Sequence, residues 1–147
     1  MSRVHLAQLN IAKMTFAIDD PEMAGFVARL DDLNALADSA PGFVWRLQTD
    51  DGDATAIDYF GADTLVNMSV WQDIESLHAY VYHSAHNRVM ARRRQWFERI
   101  EAAYSVMWWI EAGHIPSLEE ADGRLQVLRR EGPSARAFTF KQPFAPE

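Results

Sequence analysis

Alternation of hydrophobic and polar residues predicts four β-strands in this chain, at 5–11, 43–49, 65–71 and 104–111. The third of these has two different faces. Val66, Met68 and Val70 form a hydrophobic face, which we expect to pack on helices. The opposite face mixes polar and aromatic side chains with Asn67 at its centre, and we expect a second subunit to cover it.

Hydrophobic residues spaced three and four apart predict helices between and after these strands. The first helix follows Asp20-Pro21, an N-cap with proline at an early helical position. The second begins near Asp73, bends near Ser84 and continues as a helix over 85–102. A capping box at 117–120 opens a C-terminal helix, and 137–140 reads as a short final strand.

The resulting order is β-α-β-β-α-β with a C-terminal addition. This order predicts an α+β, ferredoxin-like antiparallel sheet with a C-terminal helix. The 147 residues fit a single domain over 1–147, because this length supports one self-sufficient hydrophobic core.

Composition excludes several classes of function. The net charge of −7 argues against nucleic acid as a partner. The absence of cysteine excludes disulfides, thiolate nucleophiles and thiolate-bound metals. We expect a cytoplasmic protein with no membrane partner, because no apolar run is long enough to span a bilayer and the N-terminus lacks a signal-peptide core.

The main candidate site is the predicted helix over 85–102. Its buried stripe would carry two titratable or cationic side chains, His86 and Arg93, and burying such groups without partners is costly. The other members of the stripe are hydrophobic: Val89, Met90, Trp96, Phe97 and Ile100.

His86 and Arg93 each have several interpretations. His86 is a candidate general base or hydrogen-bond donor, a candidate axial haem ligand, or a structural histidine with a satisfied hydrogen bond. Arg93 could fix an anionic group of a substrate, pair with a buried carboxylate, or extend its head to the surface. His83 lies three residues before His86, but no third ligand completes a set nearby, so we predict no metal site.

Two further polar residues are candidates for catalysis. Asn67 lies mid-strand, where asparagine is disfavoured, and its amide could polarise a carbonyl or phenolate oxygen. His114 lies in a Gly-His-Ile-Pro loop after a strand; it is either functional or a brace for the turn. Four aromatic side chains are candidates for binding a substrate: Trp45, Tyr82, Trp96 and Trp109.

Segments spread over nearly the whole chain carry a resemblance to a known family. They are HLAQLNIAK, PGFVWRL, NMSVW, YHSAHNRVMARRRQWF, MWWIEAGHIPSLEEA and GPSARAFTF. On these segments the chain is identified as a member of a bacterial family described as a domain of unknown function, DUF3291. That family is similar to the dimeric α+β barrel superfamily, which includes antibiotic-biosynthesis monooxygenases. The resemblance implies a homodimer of two sheets packed face to face, with a cavity in each protomer.

Together these observations predict a small enzyme that acts on an aromatic or polycyclic substrate, by a cofactor-independent reaction of the monooxygenase type. In this hypothesis His86 moves the proton, Asn67 and His114 polarise an oxygen, and Arg93 fixes an anionic group. One alternative is a haem-binding or haem-modifying protein with a histidine ligand. Another is a non-catalytic dimer that binds a small molecule.

Overall fold

The computed structural model describes residues 3–49, 55, 57–83, 93–100 and 102–146. Its strands are β1 (Val4–Lys13), β2 (Phe43–Arg46), β3 (Thr64–Trp71) and β4 (Ser105–Glu111). Its α-helices are α1 (Ala24–Ser39), α2 (Ile74–His83), the single turn α3 (Arg93–Trp96) and α4 (Leu118–Glu131). Among the described residues, none of these helices has the length and hydrophobicity needed to cross a membrane.

The four strands form one sheet in the order β2-β3-β1-β4, with every neighbouring pair antiparallel. This is the strand order of the ferredoxin-like fold. The predicted fold class is therefore confirmed. The long β1 lies in the centre of the sheet, and the pairing places Gln8 opposite Ser69 of β3 and Met107 of β4.

Helices cover both faces of the sheet, and each face has its own hydrophobic core. Val66, Met68 and Val70 are buried with Trp108 under α4, whose Leu125 is fully buried. This confirms the prediction that the hydrophobic face packs on a helix. Ser117 caps the N-terminus of α4, because its hydroxyl accepts a hydrogen bond from the backbone N–H of Glu120. The other half of the predicted capping box is replaced, since the Glu120 carboxylate bonds Trp108 and His114.

The opposite, mixed face lies under α1 and α2, which corrects the expectation that a second subunit covers it. Trp71 on this face packs with Ala37 of α1 and Leu77 of α2. Between the helices and the polar side chains of this face lies a gap, which forms the cavity described below. The homodimer itself stays a prediction.

Several sequence-based assignments differ from the structure, and the strand predicted over 43–49 ends at Arg46. The helix predicted over 85–102 ends at Trp96, because Phe97 forms a bridge with Met14 and the backbone N–H of Glu98 donates to the carbonyl of Lys13. Residues 137–140, predicted as a final strand, form isolated bridges instead of a strand. Among them Phe138 alone bridges to β4, through two backbone hydrogen bonds with Met107 of 2.8 and 2.9 Å.

Gly42, in the turn between α1 and β2, has a positive φ of 84°. A Cβ at this position would overlap the side chain of Ser76 in α2. We expect Gly42→Ala to lower the free energy of unfolding by about 2–5 kcal/mol, from the left-handed backbone and the overlap together. Urea-induced unfolding measures this difference.

Gly113 provides the matched control for this substitution. Its φ is also positive, at 95°, but no heavy atom lies within 4 Å of the position that a Cβ would take. Gly113→Ala should therefore carry the backbone cost alone, about 1–2 kcal/mol. Equal losses in the two variants would mean that α2 does not approach the turn as closely as described.

Candidate functional site

A cavity of about 490 Å³ lies between the mixed face of the sheet and the helices α1 and α2. Its walls are mainly apolar: α1 contributes side chains from one face, α2 adds further aliphatic groups, and Trp71 and Phe97 supply aromatic surface. The apolar wall residues are Phe26, Leu30, Leu33, Ala37, Leu65, Trp71, Leu77, Val81, Phe97, Met107 and Phe140.

The floor of the cavity is a patch of neutral polar side chains on the sheet. In one row across three strands, Asn10 of β1 lies opposite Asn67 of β3 and Ser105 of β4. In the next row, Gln8 lies opposite Ser69. Apolar rows bound this patch on both sides, so the floor itself presents hydrogen-bonding groups only in its middle. Further polar groups, such as the amide of Asn34, line the walls.

A chain of short hydrogen bonds fixes most of the patch. The indole N–H of Trp71 donates to the Ser69 hydroxyl at 2.8 Å. The Nε2 of Gln8 donates to the same hydroxyl at 2.8 Å and to Oδ1 of Asn67 at 2.6 Å. Gln8, Ser69 and Trp71 are buried, whereas the Asn67 side chain is exposed to the cavity. The Nδ2 of Asn67 has no hydrogen-bond partner among the described residues.

The charged groups of the lining are cationic. Among the described lining residues there is no aspartate, glutamate or histidine, whereas Arg46 and Lys141 both contribute. Arg46 is 13% exposed and pairs with Asp38 of α1 through a bond of 2.7 Å. A cavity with this lining favours neutral or anionic ligands over cations, although the whole chain is acidic.

Tyr80 of α2 contributes a phenol to the same wall. Its hydroxyl donates to the backbone carbonyl of Leu33 in α1 at 2.9 Å and so ties the two covering helices together. Burial raises the pKa of Tyr80 to about 12; the nearby Asp38 also raises it, and Arg46 opposes the shift. The phenol therefore stays protonated at neutral pH and acts as a fixed donor rather than a base.

The structure brings two of the predicted site residues to the cavity. Asn67 lies on the floor, and Tyr82, which is 45% exposed, lies on the side formed by α2 and the C-terminal segment. Tyr82 contacts Phe140 with ring centroids 5.7 Å apart, next to the exposed Lys141.

The three tryptophans that we predicted as substrate contacts do not line the cavity. Trp45 packs on the core under α4, and Trp96 is buried beside Phe26 of α1. Trp109 lies on the same sheet face as the cavity, but its indole N–H donates to the carbonyl of Phe144. These three rings therefore pack within the fold and do not contact the cavity.

The structure places His114 away from the cavity, on the outer side of the β4–α4 loop. Its Nε2 lies 2.7 Å from Oε1 of Glu120, whose other carboxylate oxygen accepts from the indole N–H of Trp108 at 2.8 Å. His86 lies outside the described residues, as does the side chain of Arg93, whose backbone is in α3. Their predicted roles are untested by the structure.

Sequence reasoning missed the residues that hold Asn67 in place. Gln8 and Ser69 both lie in strands that were predicted, and Gln8 and Asn10 are amides in the middle of an apolar strand. A polar amide in the middle of a strand is also the signal that singled out Asn67, since asparagine is disfavoured in strands. The same signal could have identified Gln8 and Asn10.

The described lining of the cavity contains no histidine that could ligate haem. His86, the candidate axial ligand, lies outside the described residues, and His114 lies outside the cavity. Among the described residues there is also no group of three histidine or acidic side chains arranged to hold a metal ion. The described lining therefore does not fit a histidine-ligated haem.

Comparison with known families gives one match. The model of a family described as a domain of unknown function, DUF3291, matches residues 5–147. The resemblance stated from the sequence segments is thereby confirmed. A comparison with curated proteins found no match.

Several solved structures are similar to this chain in fold. A protein of unknown function from Nitrosomonas europaea, NE2512, is 15% identical with a TM-score of 0.47, over 78% of this chain and 96% of its own. The cofactor-independent oxygenase SnoaB from Streptomyces nogalater is 17% identical with a TM-score of 0.46, over 79% and 98%. A candidate antibiotic biosynthesis monooxygenase from Chloroflexus aurantiacus is 15% identical with a TM-score of 0.48, over 78% and 98%.

Proposed function

The chain belongs to the DUF3291 family, whose description states no activity, and we propose its function from the cavity. We propose that the protein binds an aromatic or polycyclic molecule with a carbonyl or phenolic oxygen and acts on it as a small oxygenase without a bound cofactor. One observation carries this proposal: an apolar cavity whose floor presents the amide of Asn67.

The dimensions and lining of the cavity support an organic ligand of this class. Its volume of about 490 Å³ lies within the range of ordinary ligand pockets, about 300–1,000 Å³. Leu30, Leu77 and Phe97 offer apolar contacts to a ring system, and the middle of the floor offers hydrogen bonds. The cations Arg46 and Lys141 add donors to the lining, whereas the hydroxyl of Tyr80 already donates to the Leu33 carbonyl.

The proposed reaction needs a donor at an oxygen and a base at a carbon. The amide N–H of Asn67 would stabilise negative charge on the substrate oxygen as a carbon conjugated with it loses a proton. In our proposal His86 takes that proton, and dioxygen is the oxidant that attacks the carbanion. For an anthrone, the CH₂ group becomes C=O, and the second oxygen atom leaves with two hydrogens as water.

Asn67→Asp tests the role of the floor amide in binding. The substitution keeps an oxygen that accepts from Gln8 but replaces the donor facing the cavity with an acceptor. We expect the affinity for 9-fluorenone, a tricyclic ketone, to fall about tenfold, because one hydrogen bond is lost and two acceptors face each other. Quenching of tryptophan fluorescence measures the dissociation constant.

Gln48→Glu is the matched control for this variant. It makes the same change from amide to carboxylate at an exposed residue after β2 that does not line the cavity. Its affinity for fluorenone should match that of the wild type. If Asn67→Asp binds fluorenone as tightly as the wild type, the floor amide has no part in recognition.

Turnover separates an enzyme from a binding protein. The proposed reaction predicts that the wild-type protein accelerates oxygen consumption with anthrone above the rate in buffer. Binding of fluorenone without any acceleration would support the non-catalytic alternative instead. If the protein binds no polycyclic ketone at all, both forms of the proposal fail.

A further inference from the structure

Gln8 determines which atom of Asn67 faces the cavity. An amide side chain has a donor end and an acceptor end of nearly the same shape, so its orientation depends on its neighbours. Oδ1 of Asn67 accepts a hydrogen bond of 2.6 Å from Nε2 of Gln8. That contact directs the acceptor end of Asn67 towards β1 and leaves its Nδ2 towards the cavity.

The orientation of Gln8 is supported in turn by Ser69 and Trp71. The indole N–H of Trp71 can only donate, and it occupies one lone pair of the Ser69 hydroxyl, to which Gln8 donates as well. Trp71 is 1% exposed, Ser69 6% and Gln8 8%. Reversing the Gln8 amide would require the Ser69 hydroxyl to donate to it and the Asn67 amide to turn over with it, so these groups change polarity only together.

We propose that Gln8 is a positioning residue that fixes the hydrogen-bonding polarity of the floor, so that the site selects ligands with an acceptor oxygen and rejects those with a donor there. This inference rests on the proposed function and deepens it. Gln8 acts through Asn67, and the selected class is an acceptor oxygen such as a carbonyl or phenolate rather than the N–H of a similar ring.

Three tricyclic probes of almost equal shape test this selectivity. Fluorenone has a carbonyl acceptor, carbazole has an N–H donor, and fluorene has neither. For the wild type we expect fluorenone to bind about tenfold more tightly than carbazole, because carbazole leaves two donors facing each other. The ratio of the two dissociation constants is the readout, since a purely structural defect weakens both probes alike.

Gln8→Glu should reverse the preference. A carboxylate at this position accepts hydrogen bonds from Ser69 and Asn67, which turns the Asn67 oxygen towards the cavity. We expect carbazole to bind several-fold more tightly than fluorenone in this variant. Gln8→Met, which keeps the length of the side chain without any polar end, should bring the ratio close to one; it provides the test if Gln8→Glu does not fold.

A double variant distinguishes polarity from charge. In the background of Asn67→Leu, Gln8→Glu should leave the probe ratio unchanged, because the effect is transmitted through Asn67. A reversal that persists without Asn67 would assign it to the added charge and overturn the inference. An unchanged ratio in Gln8→Glu and in Gln8→Met would also overturn it, while tight binding of fluorenone alone would leave the proposed function standing.

Discussion

Trp108→Ala should lower the free energy of unfolding by about 3–5 kcal/mol, the loss typical of deleting a buried aromatic ring. Trp108 is fully buried between the sheet and α4, where it packs in the same core as Leu125. It also joins the two layers through its indole N–H, which donates to Glu120 at 2.8 Å. Urea-induced unfolding measures the loss, with an unchanged m-value as the check on two-state behaviour.

Trp108→Phe separates the ring from the hydrogen bond. Phenylalanine retains much of the apolar volume but cannot donate to Glu120, whose carboxylate keeps His114 as a partner. We expect this variant to lose about 1–2 kcal/mol. A loss below about 1 kcal/mol in Trp108→Ala would mean that α4 is not the layer that buries this face of the sheet.

The sequence was sufficient for the fold because its signals were local and agreed with one another. Alternation located the strands, and the capping box at Ser117 located the start of α4. The helix predicted to reach residue 102 failed for a non-local reason. Phe97 and Glu98 pair with the end of β1, and this tertiary contact overrides the local helical spacing of hydrophobic residues.

The candidate site could be predicted only in part. Periodicity shows which residues share a face of the sheet, but it does not show which helix or subunit covers that face. It placed Asn67 on a mixed face correctly and then assigned that face to a second subunit. The structure places α1 and α2 there, and α4 on the other side. The pairing of Gln8 with Asn67 joins residues 59 positions apart, and no local pattern contains such a contact.

His86→Ala should lower the turnover of anthrone by about 10²–10⁴-fold if His86 is the general base, the range typical of removing such a group. The argument comes from the sequence, which places His86 three residues after the end of α2. Val81 and Tyr82 in the last turn of that helix line the cavity, whose described lining contains no carboxylate or histidine to serve as a base. Oxygen consumption under saturating anthrone measures the effect on kcat.

His114→Ala is the control that shows whether the loss of turnover is specific to His86 or follows from removing any histidine. His114 is bonded to Glu120 outside the cavity, so kcat should remain within about twofold of the wild type, although stability falls slightly with the loss of this exposed contact. The affinity for fluorenone should be retained in both variants, since neither removes the Asn67 amide. If His114→Ala abolishes turnover and His86→Ala does not, the proton is handled at a site other than the cavity, and the proposed reaction is wrong.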